Sequence, residues 1–95
     1  MAQLYFPSKV LSTDQGLSDN RVTCFYKDKA GFFWVGTKNG LNQYNGHAFT
    51  VFKPAKENAV SSEIISDIAG DAAGNIWVAT MNGLNKWEPA TGKWK

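Results

Sequence analysis

The side chains able to do chemistry in this chain are few, and their spacing limits what they can do. Cys24 is the single cysteine and His47 the single histidine among 95 residues. A thiol nucleophile needs an activating base beside it. Cys24 lies in the run Val22-Thr-Cys-Phe-Tyr26, and nothing in the sequence brings His47 to it. His47 follows Asn45-Gly46 and reads as a surface turn residue, without the partners that a metal site or an acid–base dyad requires. One cysteine forms no internal disulfide and no cysteine-based metal site. Asp28 and Asp71 are the carboxylates in a repeated setting, Asp28-x-x-Gly31 and Asp71-x-x-Gly74. Catalytic carboxylates must converge on one substrate, whereas these occupy equivalent places 43 residues apart. A calcium loop needs several more oxygen ligands than four such residues supply. The pattern is that of a turn, with Asp accepting from the amides that follow it and Gly free to take a positive φ. Trp34 and Trp77 present flat faces on which a sugar ring can stack, but each sits mid-strand in the most apolar segment of its surroundings and reads as core. No catalytic residue, metal site or cofactor is expected.

The elements that hold these side chains are written twice. Residues 28–44 read DKAGFFWVGTKNGLNQY and residues 71–87 read DAAGNIWVATMNGLNKW. A repeat of this length, built of strands and turns, marks a radial or stacked all-β architecture. In the first unit, strands are expected at residues 22–26, 32–36, 41–44 and 49–52, with Asn39-Gly40 and Asn45-Gly46 as hairpin signals. In the second they fall at 64–69, 76–79 and 84–87, and near 92–94, where the register slips because Glu88-Pro-Ala-Thr-Gly92 replaces a shorter turn. Along the second strand, Phe33 and Val35 (Ile76 and Val78) point one way and Trp34 (Trp77) the other, beside small Gly36 (Ala79). A strand apolar on both faces needs cover on both sides. No helix of useful length is available, so the cover must be neighbouring sheets.

The fold class that follows is all-β, with two four-stranded antiparallel blades of a β-propeller forming an incomplete ring. A lead-in spans 1–13, with a strand at residues 4–6 stopped by Pro7. The first blade spans 14–52, a linker 53–59 and the second blade 60–95. Ser61-Ser62-Glu63 reads as loop rather than helix. Propellers usually have four or more blades, so each outer face is expected to take a partner: the remaining blades of a longer parent, or further copies in a homo-oligomer. Trp87 occupies the Tyr44 position and is expected to pack. Trp94 is terminal, and exposure there is expected to reflect only where the chain stops. Thr37 and Thr80 are expected to bond to local backbone or to the next repeat.

Composition excludes several classes. The net charge is +2 and the ten basic residues are scattered, with no run that would mark a nucleic-acid face. No stretch approaches the length of a membrane span. MAQLYFPSKV lacks the basic and apolar segments of a signal peptide.

These residues together resemble the two-component regulator propeller repeat. Leu17-Ser18, Val22, Asp28, Gly31, Phe33-Trp34-Val35-Gly36-Thr37 and Asn39-Gly40-Leu41 form one copy. Val60-Ser61, Ile65, Asp71, Gly74, Ile76-Trp77-Val78-Ala79-Thr80 and Asn82-Gly83-Leu84 form the other. The departures are Ala79 where the first copy has Gly36, and Met81 for Lys38. The resemblance implies the periplasmic sensor region of a hybrid two-component protein of the Bacteroides type. There two seven-bladed propellers precede a small β-sandwich, a membrane helix and a histidine kinase. It implies an oligosaccharide as the parent's ligand, with this chain as the first two blades after a leader that these residues do not include. It gives this segment no kinase, nucleic-acid or membrane contact of its own. Lys38 and Asn39, with Met81 and Asn82, sit on a fixed turn whose first residue changes from lysine to methionine, and are the expected ligand-facing rim. The competing readings are blades that only hold or pair the sensor, and a fragment of a propeller lyase. The lyase reading lacks convergent acid–base groups in this chain.

Overall fold

A computed structural model describes residues 4–6, 9–11, 16–55 and 59–95, the first two stretches as backbone only. The remainder of the 1–13 lead-in with Pro7, residues 14–15 of the first blade, and 56–58 within the linker lie outside the described residues.

Alternation of apolar and polar residues, broken by Asp-x-x-Gly and Asn-Gly turns, gives two sheets of four antiparallel strands. The first orders β3 (Val22–Lys27), β4 (Phe33–Thr37), β5 (Gly40–Tyr44) and β6 (Phe49–Phe52). The second orders β7 (Ile65–Gly70), β8 (Ile76–Thr80), β9 (Gly83–Glu88) and β10 (Lys93–Trp94) in the same sense. Each is a meander, the layout of a propeller blade. A short hairpin of β1 (Leu4–Phe6) and β2 (Lys9–Leu11) precedes them; β2 was not expected. Residues 61–63 are loop, as the sequence implied.

Register differs from expectation in two places. Thr37 pairs with Gly40, and Thr80 with Gly83, so the two-residue loops are Lys38-Asn39 and Met81-Asn82, one residue earlier than an Asn-Gly turn. Gly40 and Gly83 open the next strand at φ +122° and +124°, a region that L side chains rarely adopt. The slip at the second blade's last strand amounts to two residues. Tyr44 pairs with Phe49, whereas Trp87 pairs with Trp94.

The core lies between the sheets. From the first come Trp34 and Leu41, and from the second Ile65, Ile68, Ile76, Val78 and Trp94, joined by Val60. Burying each aliphatic side chain of this size contributes roughly 1.5–3 kcal/mol, so the two blades stabilise each other. Trp94 is only 8% exposed: it closes an aromatic cluster with Phe52 and Trp87, whose ring centroids lie 5.4 and 5.2 Å from its own.

β3 and β7 run side by side at the crowded end of the stack. A bulge falls at the same place in each strand, between Val22 and Cys24 and between Ile65 and Asp67. The extra residue of a bulge can re-aim its side chain. Here Thr23 donates from Oγ1 to the Ile65 carbonyl at 2.6 Å, tying blade to blade. Gly36 meets the expectation of a tight site: a Cβ there would lie 2.5 Å from Cys24 Sγ and 2.6 Å from Ile65 Cγ2.

Candidate functional site

Each blade has two rims, and the two turn types separate onto them. On one rim, Asp28 accepts from the Phe32 amide at 2.9 Å through Oδ1 and from the Trp34 indole Nε1 at 2.8 Å through Oδ2. Asp71 does the same for Asn75 N at 3.0 Å and Trp77 Nε1 at 2.8 Å, and also accepts from Ala73 N at 2.9 Å. The Trp77 indole N–H, ahead of the Asn75 and Ala73 donors, holds the Asp71 carboxyl below its ordinary range. These carboxylates aim a tryptophan and close a turn. Both oxygens are engaged in each, which leaves no lone acid or base poised for substrate. Gly31 and Gly74 complete the turns at φ +94° and +88°.

On the opposite rim, the Lys38-Asn39 and Met81-Asn82 loops rest on a common frame. Thr37 and Thr80 each accept from the amide two residues on (Asn39, Asn82) at 3.0 Å and donate to the carbonyl of Gly40 or Gly83 at 2.9 Å. Ser18 and Ser61 lie 3.0 Å from those hydroxyls. Asn42, fully buried, accepts from Ser18 N and donates to Ser18 Oγ and the Val35 carbonyl. Asn85 accepts from Ser61 N and Oγ. Lys38 N donates to Arg21 O at 3.2 Å and Met81 N to Ile64 O at 3.1 Å, so both loops are pinned to their own lead-in strand. Gly40 N reaches Glu63 O across the blades. Lys38 and Met81 stand in solvent above this frame, Met81 at 71% exposure. Asn82 Nδ2 donates to Ser61 O at 3.3 Å. Beside Lys38, the Arg21 guanidinium and backbone amide hold the Asp19 carboxyl at about 2.

The site residues therefore divide. Asp28, Gly31, Trp34, Gly36, Thr37, Gly40 and Leu41, with Asp71, Gly74, Trp77, Ala79, Thr80, Gly83 and Leu84, belong to strands and turns. Lys38, Asn39, Met81 and Asn82 form two neighbouring steps of one rim. His47 is exposed and its amide is held by Asn45 Oδ1. Cys24 packs against the core, and burial pushes its thiol up, away from the thiolate a nucleophile needs. Among the described residues no three His, Cys, Asp or Glu side chains gather as metal ligands.

A cleft of about 270 Å³ opens between the blades on the Asp-Gly rim, with Phe32, Gln43, Asn75, Trp87 and Pro89 in its walls. Lys29 Nζ reaches across to the Ala72 carbonyl at 3.3 Å beside it. Sequence reasoning missed this cleft. Its two walls come from different copies, so no local pattern of one repeat announces it.

Comparison with known proteins gives one consistent answer. The family model described as two component regulator propeller matches residues 16–39 and 59–82, about half of the chain and once in each blade. A histidine kinase P4 of Formosa agariphila is 39% identical over 56 residues, which is 59% of this chain and 4% of that kinase. Among solved structures, the extracellular domain assigned to a hybrid two component system of B. thetaiotaomicron superposes with a TM-score of 0.83 at 30% identity. It covers 90% of this chain and 12% of its own. The extracellular domain assigned to a one component system of the same organism gives 0.76 at 25% identity, over 96% of this chain and 14% of its own. The chain thus spans a small fraction of each relative.

Proposed function

The chain belongs to the two component regulator propeller family, and from that premise we propose that it forms two blades of an extracytoplasmic sensor propeller whose Lys38-Asn39 and Met81-Asn82 rim faces a carbohydrate ligand in a parent receptor. The module is non-catalytic: the repeated carboxylates Asp28 and Asp71 are engaged in turns, and its one thiol is half-buried against the core. Its output is the presentation of a surface on a rigid frame.

One observation carries the choice of rim. The backbone bonds beneath the two loops are the same in both copies, Lys38 to Arg21 and Met81 to Ile64, while the side chain above changes from a lysine to a methionine. A fixed frame carrying different side chains is how rigid scaffolds present binding residues. Sugar recognition suits such a surface, since asparagine amides and a lysine ammonium supply the directional bonds that hydroxyls need. Residues 14–52 and 60–95 serve as the blades and 53–59 as their joint.

The test is calorimetric titration of polysaccharide-derived oligosaccharides into the parent's sensor region, with and without Lys38→Ala and Met81→Ala. Weaker binding in the variants, with near-ultraviolet circular dichroism unchanged, supports the rim. Binding at parental strength in both would return these blades to a purely architectural role.

A further inference from the structure

The rim that carries the Lys38-Asn39 and Met81-Asn82 loops also carries the residue that leads into the first strand of each blade, Arg21 before β3 and Ile64 before β7. The two positions are held alike. Arg21 N donates to Asp19 Oδ1 at 2.7 Å, and Ile64 N to Ser62 Oγ at 3.1 Å. Their carbonyls accept from the amides of Lys38 and Met81. The bond from Thr23 Oγ1 to the Ile65 carbonyl keeps the two lead-ins side by side.

On this shared backbone the side chains change as a set. Arg21 and Lys38 of the first blade become Ile64 and Met81 in the second, and Asp19 becomes Ser62. A cationic step thus adjoins an apolar one. Asp19 accepts from Nε and Nη2 of Arg21 at 2.9 and 2.6 Å. That pair fixes the guanidinium, yet the side chain stays 64% exposed and Nη1 takes no part in it. Glu63 and Lys53 flank the same rim, Glu63 with its carbonyl on Gly40 N and Lys53 with its stem against Gly40. Three cations (Arg21, Lys38, Lys53) and two carboxylates (Asp19, Glu63) leave one positive charge there.

These positions stay open inside a longer ring. The second blade sits on the Trp34–Leu41 side of the first, and Arg21 and Lys38 are exposed beside it. The first blade sits on the Ile65–Ile68 side of the second, and Ile64 and Met81 are still 40% and 71% exposed. A neighbour on either side therefore leaves the rim uncovered.

Taking this rim as the ligand-facing surface, as above, we infer that its ligand is an acidic oligosaccharide: an anionic group, carboxylate or sulfate ester, is held by Arg21 and Lys38, and the C–H face of an adjoining sugar ring lies on Ile64 and Met81. A guanidinium and an ammonium together suit an oxyanion. The net single charge matches a single acidic group. The unbranched Met81 side chain can adapt to a ring face. Asp19 is a positioning residue, which orients the guanidinium without touching the ligand.

Calorimetric titration of the parent's sensor region with two matched pairs of probes tests this: oligogalacturonate against its methyl ester, and a sulfated galactan fragment against its desulfated form. One acid should bind about tenfold or more tightly than its neutral twin, the effect of a charge-assisted contact. Which acid does so separates carboxylate from sulfate. That binding should weaken in about 0.5 M salt, where exposed charges are screened. Arg21→Gln and Lys38→Gln should each weaken it about tenfold and flatten its salt dependence. Ile64→Ala and Met81→Ala should weaken it and leave the salt dependence as it was. The frame uses only the backbone of Arg21 and Lys38, so near-ultraviolet circular dichroism should be unchanged in these variants. If acid and neutral twin bind alike and the Lys38 and Met81 changes weaken both, the acidic ligand is overturned and the rim stands. If an acid binds but is indifferent to all four changes, the rim itself falls and the inference with it. Failure of both acids to bind also overturns the inference.

Discussion

The carboxylate at the head of each Asp-x-x-Gly turn shows how one residue type has unequal weight in two equivalent places. Asp28 and Asp71 each accept an indole N–H at 2.8 Å. Trp34 is fully buried, whereas Trp77 keeps part of its surface in water. Removing the acceptor from Trp34 strands a buried donor, which costs about 1–3 kcal/mol. Asp28→Ala should therefore lower the urea midpoint more than Asp71→Ala, whose indole can turn to solvent; equal shifts would show that the turn bonds, not the indole, dominate. Asp19 gives the pH dependence. Arg21 holds its carboxyl down from 3.8 to about 2. A depressed carboxylate contributes stability that is present above its unfolded value and lost as pH falls through the folded one. Stability should thus fall between about pH 4 and pH 2, and Arg21→Ala should flatten that part of the profile in urea titrations at fixed pH.

At the scale of the strand, the decisive contact is the approach of β7 to β4. Gly36→Ala places a methyl 2.6 Å from Cγ2 of Ile65, itself fully buried and unable to move aside cheaply. Overpacking of this kind costs about 1–3 kcal/mol, and thermal unfolding should register it; Ala79→Gly, on the open face, should cost less. That tightness was legible in the sequence because a small residue recurred at one place in two apolar strands. The strands of both blades were legible for a similar reason, since alternation and turn residues repeat every 43 positions. Other features were not. The tight loops fell one residue early because Gly40 and Gly83 are used at the start of a strand rather than inside the turn. β2, with three residues and no alternation to speak of, carries too little pattern to be seen. The packing of Trp94 was not legible because its cover comes from Phe52 in the other blade, a contact across 42 residues that no local pattern announces. The cleft beside Trp87 escaped for the same reason, as its walls belong to different copies. Of the candidate site, the turn residues and the rim loops could be read, because each is local.

In the molecule as a whole, stability is shared rather than summed, because the core is the surface between the blades. Phe52 is its hub: its ring lies 5.9 Å from Trp34, 5.3 Å from Trp87 and 5.4 Å from Trp94. It belongs to the last strand of the first blade, yet two of these three partners belong to the second. If the blades were independent units, Phe52→Ala would loosen β5 and β6 and leave β8 and β9 protected. Since Ile65, Ile68, Ile76 and Val78 pack in one cluster with Trp34 and Leu41 of the first blade, the second loses much of its core once the first withdraws. Phe52 is half-buried, so its truncation should cost up to the roughly 3–5 kcal/mol of a core aromatic, against a total stability of roughly 5–15 kcal/mol for a domain. Phe52→Ala should therefore take the whole chain close to its unfolding threshold. Amide hydrogen exchange is the measurement that separates the cases. Protection in β4 and in β8 should fall together and by the same factor, as expected of a single cooperative unit. Protection that survives in β8 while β4 exchanges freely would mean that each blade folds alone, and that the space between them is a contact rather than a core.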